Sequence, residues 1–180
     1  QIAQMVIDGE ADIGITTEAL DRFPDIVTFP CYSWHHVAVV PKDHPLVGRE
    51  SVTLADIAEY PIITYDGDFT GRSHVDKAFA DQGLVPDIVL TALDTDVIKT
   101  YVELGLGVGI VAAMAVDPRK DQDLAVLELD NAFEPSTTRI GLRRGAFLRS
   151  YAYRFIEMLA PALKEQEIST QLREALEFAA

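Results

Sequence analysis

Apolar residues in this chain alternate between strand spacing and helix spacing, and this alternation limits the possible folds more than any other feature. Strands show continuous or alternating apolar runs, whereas helices repeat their apolar residues with the helical turn. The predicted strands cover 11–17, 26–32, 36–41, 61–65, 86–91, 107–112, 124–129 and 138–144. The predicted helices cover 2–8, 53–58, 71–82, 94–104, 147–163 and 167–178. Repeated strand–helix units predict an α/β fold with a largely parallel sheet covered by helices on both faces.

Two irregular segments interrupt this pattern and suggest a division into two lobes. Residues 29–33 and 131–137 are candidate crossovers, the second broken by Pro135. If both cross, residues 1–33 and 134–180 form lobe I, and residues 34–133 form lobe II. Two α/β lobes joined by paired crossovers would hold a ligand in a cleft between them and close by a hinge motion.

Composition and charge exclude several functions. The 180 residues are 48% hydrophobic and 24% charged, which is typical of a protein with a sizeable core. The net charge of -14 argues against nucleic-acid binding by this chain itself, because that affinity comes from Lys and Arg neutralising phosphates. The single cysteine, Cys31, excludes an internal disulfide framework and fits a reducing compartment. The longest apolar run, 104–116, is too short to span a bilayer, so we expect no membrane contact.

The segment Phe69-Thr70-Gly71-Arg72-Ser73 lies between a strand-like run and an amphipathic helix. This order makes an anion pocket, because the N–H groups of a helix's first turn lack partners and the helix dipole adds positive charge. Thr70 and Ser73 supply hydroxyl donors, and Gly71 lets a ligand approach the backbone closely. The alternative is an ordinary helix start with Thr70 or Ser73 as the N-cap.

Other constellations point away from cofactors, metals and catalysis. The glycines of 104–109 follow a helix and enter a strand, which is the reverse of a dinucleotide-binding fingerprint. Cys31, His35 and His36 lie along one extended stretch without a companion pair, so we interpret them as packing residues rather than metal ligands. The sequence contains no Gly-x-Ser-x-Gly elbow and no distinct acid–base pair, so we expect no enzyme, metal or cofactor.

Several motifs together resemble the effector-binding domain of LysR-type transcriptional regulators. The general family motifs are Gly9-Glu10-Ala11-Asp12-Ile13-Gly14-Ile15, Pro41-Lys42-Asp43-His44-Pro45-Leu46 and Leu104-Gly105-Leu106-Gly107-Val108-Gly109-Ile110-Val111. The motifs that resemble the CysB branch, which regulates sulfur assimilation and cysteine biosynthesis, are Thr17-Glu18-Ala19-Leu20, Pro30-Cys31-Tyr32-Ser33-Trp34, Phe69-Thr70-Gly71-Arg72-Ser73, Asp94-Thr95-Asp96-Val97-Ile98-Lys99-Thr100-Tyr101, Met114-Ala115-Val116-Asp117-Pro118, Ser136-Thr137-Thr138-Arg139-Ile140-Gly141 and Phe147-Leu148-Arg149-Ser150-Tyr151. The resemblance extends from residue 1 to about 163.

This resemblance implies two Rossmann-like lobes, as in periplasmic solute-binding proteins, with an effector in the interlobe cleft. It implies a cytoplasmic homotetramer or homodimer that binds promoter DNA through an N-terminal winged helix-turn-helix, with RNA polymerase as a candidate partner. Because the chain opens at Gln1 inside a helical pattern, we expect that module, and the first strand and helix of lobe I, to lie outside it.

The resemblance also implies a ligand and its contacts. CysB-type domains hold a sulfate-like anion and respond to acetylserine compounds, so the expected ligand is sulfate, O-acetylserine or N-acetylserine. The residues that match the expected ligand site are Thr17 after the first strand, Trp34 at the crossover, and Thr70, Gly71, Arg72 and Ser73 at the helix start.

The anion site and the function class each have alternatives that the sequence does not decide. Asp66 and Asp68 would repel sulfate unless they face solvent or tune selectivity, and the Arg72 side chain has Asp68 and Asp76 as candidate partners. The same architecture also serves periplasmic-type solute-binding proteins for oxyanions. An enzyme on this scaffold, such as a dehydratase, is a third alternative.

Overall fold

Helices and strands alternate along the chain much as their apolar spacing predicts. The computed structural model describes residues 1–67, 70–129 and 132–177, without the side chains of 18, 19, 70, 176 and 177. The helices are α1 (Ile2–Asp8), α2 (Leu54–Ala58), α3 (Thr70–Asp81), α4 (Thr95–Glu103), α5 (Ser150–Leu159) and α6 (Glu165–Glu177), with short 3₁₀ helices at Glu18–Arg22 and Ala113–Ala115. The strands are β1 (Gly14–Thr16), β2 (Ile26–Trp34), β3 (His36–Pro41), β4 (Ile62–Tyr65), β5 (Ile88–Ala92), β6 (Val108–Ala112), β7 (Leu124–Leu127) and β8 (Ser136–Arg143).

The chain divides into two units, which we call unit 1 (residues 1–33 and 136–180) and unit 2 (residues 34–135). It passes from unit 1 to unit 2 after Ser33 and returns after Pro135. Phe133, close to the return point, is buried in a core cluster of unit 2. The lobes predicted from the sequence, with a boundary between 133 and 134, stay a prediction of domain organisation.

Unit 1 is built on a three-stranded sheet with the strand order β1-β8-β2. Strand β1 is antiparallel to β8, and Ile15 lies opposite Ile140. The core joins Phe29 of β2 to Ile140 of β8, Ile156 of α5 and Ile168 of α6. Burial of these apolar side chains fixes α5 and α6 against the sheet of this unit.

Unit 2 is built on a five-stranded sheet with the order β5-β4-β6-β3-β7. Strand β4 is parallel to both β5 and β6, but β3 is antiparallel to both β6 and β7. The prediction of a largely parallel sheet is therefore wrong for the described strands. Parallel neighbours need a long crossover, and α3 and α4 supply one only between β4, β5 and β6.

Helices cover both faces of the unit 2 sheet, as predicted. Alternate residues of β3 point to opposite faces. On one face Ala38 and Val40 lie in a cluster with Phe79 of α3, and on the other Val37 and Val39 lie in a cluster with α4.

Several predicted helix ends are confirmed, and others move. Gly9 ends α1 with a φ of 77°, and the Asp94 carboxylate caps α4 by accepting a 2.7 Å bond from the Asp96 N–H. The predicted helix at 147–163 is shorter, at Ser150–Leu159. Ser73 lies inside α3, so the prediction that Ser73 is its N-cap is wrong. Within the described ranges, no helix combines the length and the apolar character needed to cross a bilayer.

Candidate functional site

The candidate anion site lies at the first turn of α3, in unit 2. The helix begins at Thr70, and its first turn contains no acidic residue. The first N–H groups of a helix have no acceptor within it, and the helix dipole gives this end a partial positive charge. Phe69 of the predicted loop and Asp68 beside it lie outside the described residues, as does the side chain of Thr70.

Three residues from different parts of unit 2 meet at this turn. A Cβ built on Gly71 would lie 3.1 Å from Nε2 of His36 and 3.7 Å from Cη2 of Trp34. The rings of Trp34 and His36 pack edge to face, with 5.0 Å between their centroids. The structure therefore brings together two of the predicted site residues, Trp34 and Gly71, and adds His36.

His36 is buried without the hydrogen bonds that its ring requires. The residue is 2% exposed, and neither ring nitrogen has a hydrogen-bond partner among the described residues. A neutral imidazole carries one N–H donor and one acceptor nitrogen. A buried polar group without a partner costs about 1–3 kcal/mol of folding free energy, so such a group needs an explanation.

The surroundings of His36 favour its neutral form. The pKa of His36 is lowered from 6.5 to about 4, mainly by burial and then by the nearby charges of His74 and His35. The rings of Phe133 and Tyr65 also pack edge to face against it, with centroids 5.5 and 6.4 Å away. The imidazole is thus an uncharged polar group inside an aromatic cage.

The Arg72 side chain is committed to protein contacts. Its Nε donates to Oδ1 of Asp76 at 2.7 Å, and its Nη1 donates to the carbonyl oxygen of Tyr65 at 2.9 Å. Of the two pairings left open by the sequence, the one with Asp76 is present. These two contacts hold the Nε and Nη1 ends of the guanidinium against the protein, and Asp68 lies outside the described residues.

The other polar residues near the α3 start are more exposed. Ser73 is exposed in the first turn of α3. Asp66, after β4, is partly buried, and its carboxylate accepts a 3.4 Å bond from the hydroxyl of Thr91. That bond orients the Asp66 carboxylate within unit 2.

Thr17 belongs to unit 1 and follows β1 directly. It is the N-cap residue of the 3₁₀ helix Glu18–Arg22, but its side chain makes no capping hydrogen bond. Its buried hydroxyl oxygen has no partner among the described residues. The Thr17 hydroxyl therefore does not cap this helix, although capping was the structural alternative to ligand contact.

Sequence reasoning assigned His36 to packing and missed its position at the α3 start. The signal available was the alternation of β3, which turns His36 inward while Val37 faces the opposite side. That signal shows that the histidine is inward, but not that it faces Gly71, because that contact joins residues far apart in sequence.

Comparison with known proteins identifies the family. A family model described as the LysR substrate binding domain matches residues 1–164. The HTH-type transcriptional regulator SsuR of Burkholderia cenocepacia is 71% identical over 176 residues, which cover 98% of this chain and 57% of that protein. The regulator CysB of the same organism is 51% identical over 173 residues, which cover 96% of this chain and 55% of that protein.

A solved structure supports the same assignment. The cofactor-binding domain of the Cbl transcriptional regulator superposes with a TM-score of 0.87 and 46% identity, over 95% of this chain and 75% of that one. The relatives are transcriptional regulators rather than enzymes, and the chain spans little more than half the length of SsuR and CysB. The α/β fold is that of LysR effector-binding domains, which resemble periplasmic binding proteins. This chain therefore belongs to the LysR substrate-binding domain family, the effector-binding domains of LysR-type transcriptional regulators.

Proposed function

We propose that this chain is the effector-sensing domain of a regulator of sulfur assimilation and cysteine biosynthesis. The proposed effector is sulfate or an acetylserine-type ligand, O-acetylserine or N-acetylserine. The observation that carries the proposal is the first turn of α3, where Gly71 lies against the ring of Trp34 and the buried, unpartnered ring of His36. A small oxyanion suits such a turn, because it accepts several N–H bonds and its charge complements the helix dipole.

The similarity to SsuR and CysB supports the regulatory part of the proposal. The whole protein would bind promoter DNA through a helix-turn-helix module of its own and act as a homodimer or homotetramer in the cytoplasm. The formal charge of -14 on this chain fits a division of labour in which another part of the protein contacts DNA. Since the relatives are transcriptional regulators, the periplasmic solute-binding alternative is not favoured.

The effector would act by shifting an equilibrium between conformations of the regulator. A ligand shifts such an equilibrium only by its difference in affinity for the two states. Contacts that form around the start of α3 in one state would supply that difference. The sensing part of the function thus needs binding and no chemical turnover.

Calorimetric titration with sulfate, O-acetylserine and N-acetylserine tests this proposal. We expect saturable binding of at least one of the three. We expect Gly71→Ala to weaken it by about tenfold or more, which corresponds to about 1.4 kcal/mol. The added methyl group would stand 3.1 Å from Nε2 of His36 and obstruct the approach to the first-turn N–H groups.

The matched control is Gly67→Ala on the preceding loop. A Cβ at Gly67 meets no described atom within 4 Å, so this variant should bind like the wild type. Helix propensity favours Ala over Gly by about 1 kcal/mol, so Gly71→Ala should not lose helix α3. Absence of binding to all three ligands would contradict the proposed ligand class, and equal affinities of the two variants would remove α3 from the site.

A further inference from the structure

The ring of His36 lies at the start of α3 without a hydrogen-bond partner among the described residues. The ring is buried, it lies against Gly71 in the first turn of α3, and both of its nitrogens lack partners among the described residues. Buried polar side chains in folded proteins are nearly always hydrogen-bonded, so this ring calls for a partner from outside the described structure. The N–H groups of the same turn call for an acceptor as well.

We propose that His36 is a ligand-contacting residue of the anion site at the start of α3, and that it takes up a proton from solvent when a divalent oxyanion binds. This inference rests on the proposed function, because it names a further residue of the same site. One oxygen of the anion accepts from the imidazole, and others accept from the first-turn N–H groups. The proton stays on the ring, and no covalent bond forms or breaks.

The groups that face His36 explain why its protonation is coupled to binding of the anion. Trp34 from the end of β2, Tyr65 from β4 and Phe133 from unit 2 present aromatic rings and no negative charge. The hydroxyl of Tyr65 is already engaged, 2.9 Å from that of Thr95 and 3.1 Å from the Ala112 nitrogen.

The charges that act on the ring all oppose its protonation in the free protein. His74 on α3 and His35 next to it on the chain are both cations when protonated, and no described carboxylate acts on the ring. The positive end of the α3 dipole adds to this effect. A bound dianion reverses the balance, because it supplies the negative charge that an imidazolium in this cage lacks.

The predicted consequence is a pH-dependent affinity. Proton uptake on binding makes affinity rise as pH falls, by up to about tenfold per pH unit for one proton. Sulfate is the appropriate probe, because it keeps both charges from about pH 8 to about pH 5, where histidines titrate. Any change of sulfate affinity with pH over this range then comes from protonation of the protein.

The experiment is calorimetric titration of the protein with sulfate across this pH range, in buffers of different ionisation enthalpy, which also measures the protons taken up. We expect the wild type to take up a large fraction of one proton near pH 6 and to bind more tightly as pH falls. His36→Gln should bind sulfate several-fold more weakly near pH 6. Its affinity should no longer rise as pH falls, because the glutamine amide can donate a hydrogen bond but cannot titrate.

His35→Gln is the matched control, because His35 is half exposed and its Nε2 lies 3.1 Å from a carboxylate oxygen of Glu128. This variant removes a charge that opposes protonation of His36, so it should bind sulfate at least as tightly as the wild type near pH 6 and keep the rise in affinity as pH falls. If His74→Gln loses this rise and His36→Gln keeps it, His74 is the titrating group and the proposal is wrong.

A second measurement on the wild type guards against a variant that does not fold. Nitrogen-15 spectra of the His36 ring near pH 6 should change from the neutral to the doubly protonated pattern on addition of sulfate. Saturable binding with a ring that stays neutral, or with affinity independent of pH, would overturn the His36 proposal alone. No sulfate binding by the wild type would overturn sulfate as the ligand of this site and the His36 proposal with it.

Discussion

The Cα of Gly71 faces the imidazole of His36 with no side chain between them, and a Cβ on the glycine would lie 3.1 Å from Nε2. This contact joins the first turn of α3 to the first residue of β3. It places the first-turn N–H groups, which have no acceptor within the helix, beside the unpartnered His36 ring in unit 2. An oxyanion that bridges them would satisfy both sets of groups together.

The first prediction concerns the unpartnered hydroxyl of Thr17. Thr17→Val removes a buried polar group that has no partner among the described residues, so we expect the free energy of unfolding to stay equal or rise by about 1 kcal/mol. Binding of the effector should weaken at the same time if Thr17 contacts it. Urea titration and calorimetry measure the two effects separately.

Thr64→Val is the matched comparison in unit 2. The Thr64 hydroxyl is buried and donates to the Ile110 carbonyl at 3.1 Å, so its removal should lower the free energy of unfolding by about 1 kcal/mol. If both variants lose the same stability, the Thr17 hydroxyl is hydrogen-bonded in solution and is not available to a ligand.

The second prediction concerns the buried ion pair between Lys99 of α4 and Asp121. Their side chains are 7% and 8% exposed, and Nζ lies 3.0 Å from Oδ2. Lys99→Met leaves a buried carboxylate without its cation, so we expect a loss of about 3–5 kcal/mol in the free energy of unfolding. Urea titration at neutral pH measures this loss.

Lys77→Met is the control, because the Lys77 side chain is 54% exposed in its pairs with Asp81 and Glu134. Water screens exposed pairs, so this variant should lose far less stability than Lys99→Met. Losses of similar size in the two lysine variants would show that burial does not distinguish these ion pairs.

The third prediction is a dependence of stability on pH. The folded state holds His36 with a pKa near 4, whereas an unfolded histidine keeps a pKa near 6.5. Between these values the unfolded state binds more protons, so the free energy of unfolding should fall as pH drops from about 6.5 to about 4, by roughly 3 kcal/mol.

His36→Gln should remove most of this dependence when urea titrations are compared at several pH values. Part of the slope will remain, because burial also lowers the pKa of His44. If the free energy of unfolding of His36→Gln depends on pH as strongly as that of the wild type, His36 is not the histidine that is held neutral in the folded state. Below this range the carboxylates dominate, since hydrogen bonds from Thr53 hold the pKa of Asp56 below its ordinary value.

The fourth prediction concerns Gly109 in β6. This glycine lies in the segment 104–109, which we interpret as a helix end and a buried strand rather than a dinucleotide-binding loop. A Cβ there would lie 2.6 Å from Cγ2 of Val39 and 2.8 Å from Cγ2 of Val102. We therefore expect Gly109→Ala to lower the free energy of unfolding by about 1–3 kcal/mol, because the core has no room for the methyl group. A melting temperature equal to that of Gly67→Ala would contradict this packing role.

Much of the fold follows from local sequence signals, because caps and apolar spacing act over a few residues. Gly9 and Asp94 illustrate this, since the end of α1 and the start of α4 lie where the sequence predicts them. The antiparallel position of β3 depends instead on pairing with β6 and β7, which lie far along the chain. Periodicity shows that a segment is a strand but not the direction of its neighbours.

The candidate site shows the same limit. The motif around Gly71 is visible in the sequence, and Trp34 is placed by family resemblance, but the burial of His36 between them is a tertiary contact. The Arg72 pairing with Asp76 spans one helical turn and was among the alternatives open from the sequence. Residues that meet only through the fold are those that local patterns miss.

The central claim is that a small oxyanion binds at the first turn of α3. The most direct measurement is an anomalous difference map from a crystal of this protein grown with selenate, a sulfate analogue whose selenium can be located unambiguously. The account predicts a peak within hydrogen-bonding reach of the Gly71 and Arg72 amides and the His36 ring. Bound selenate at another position, with none at the start of α3, would contradict it.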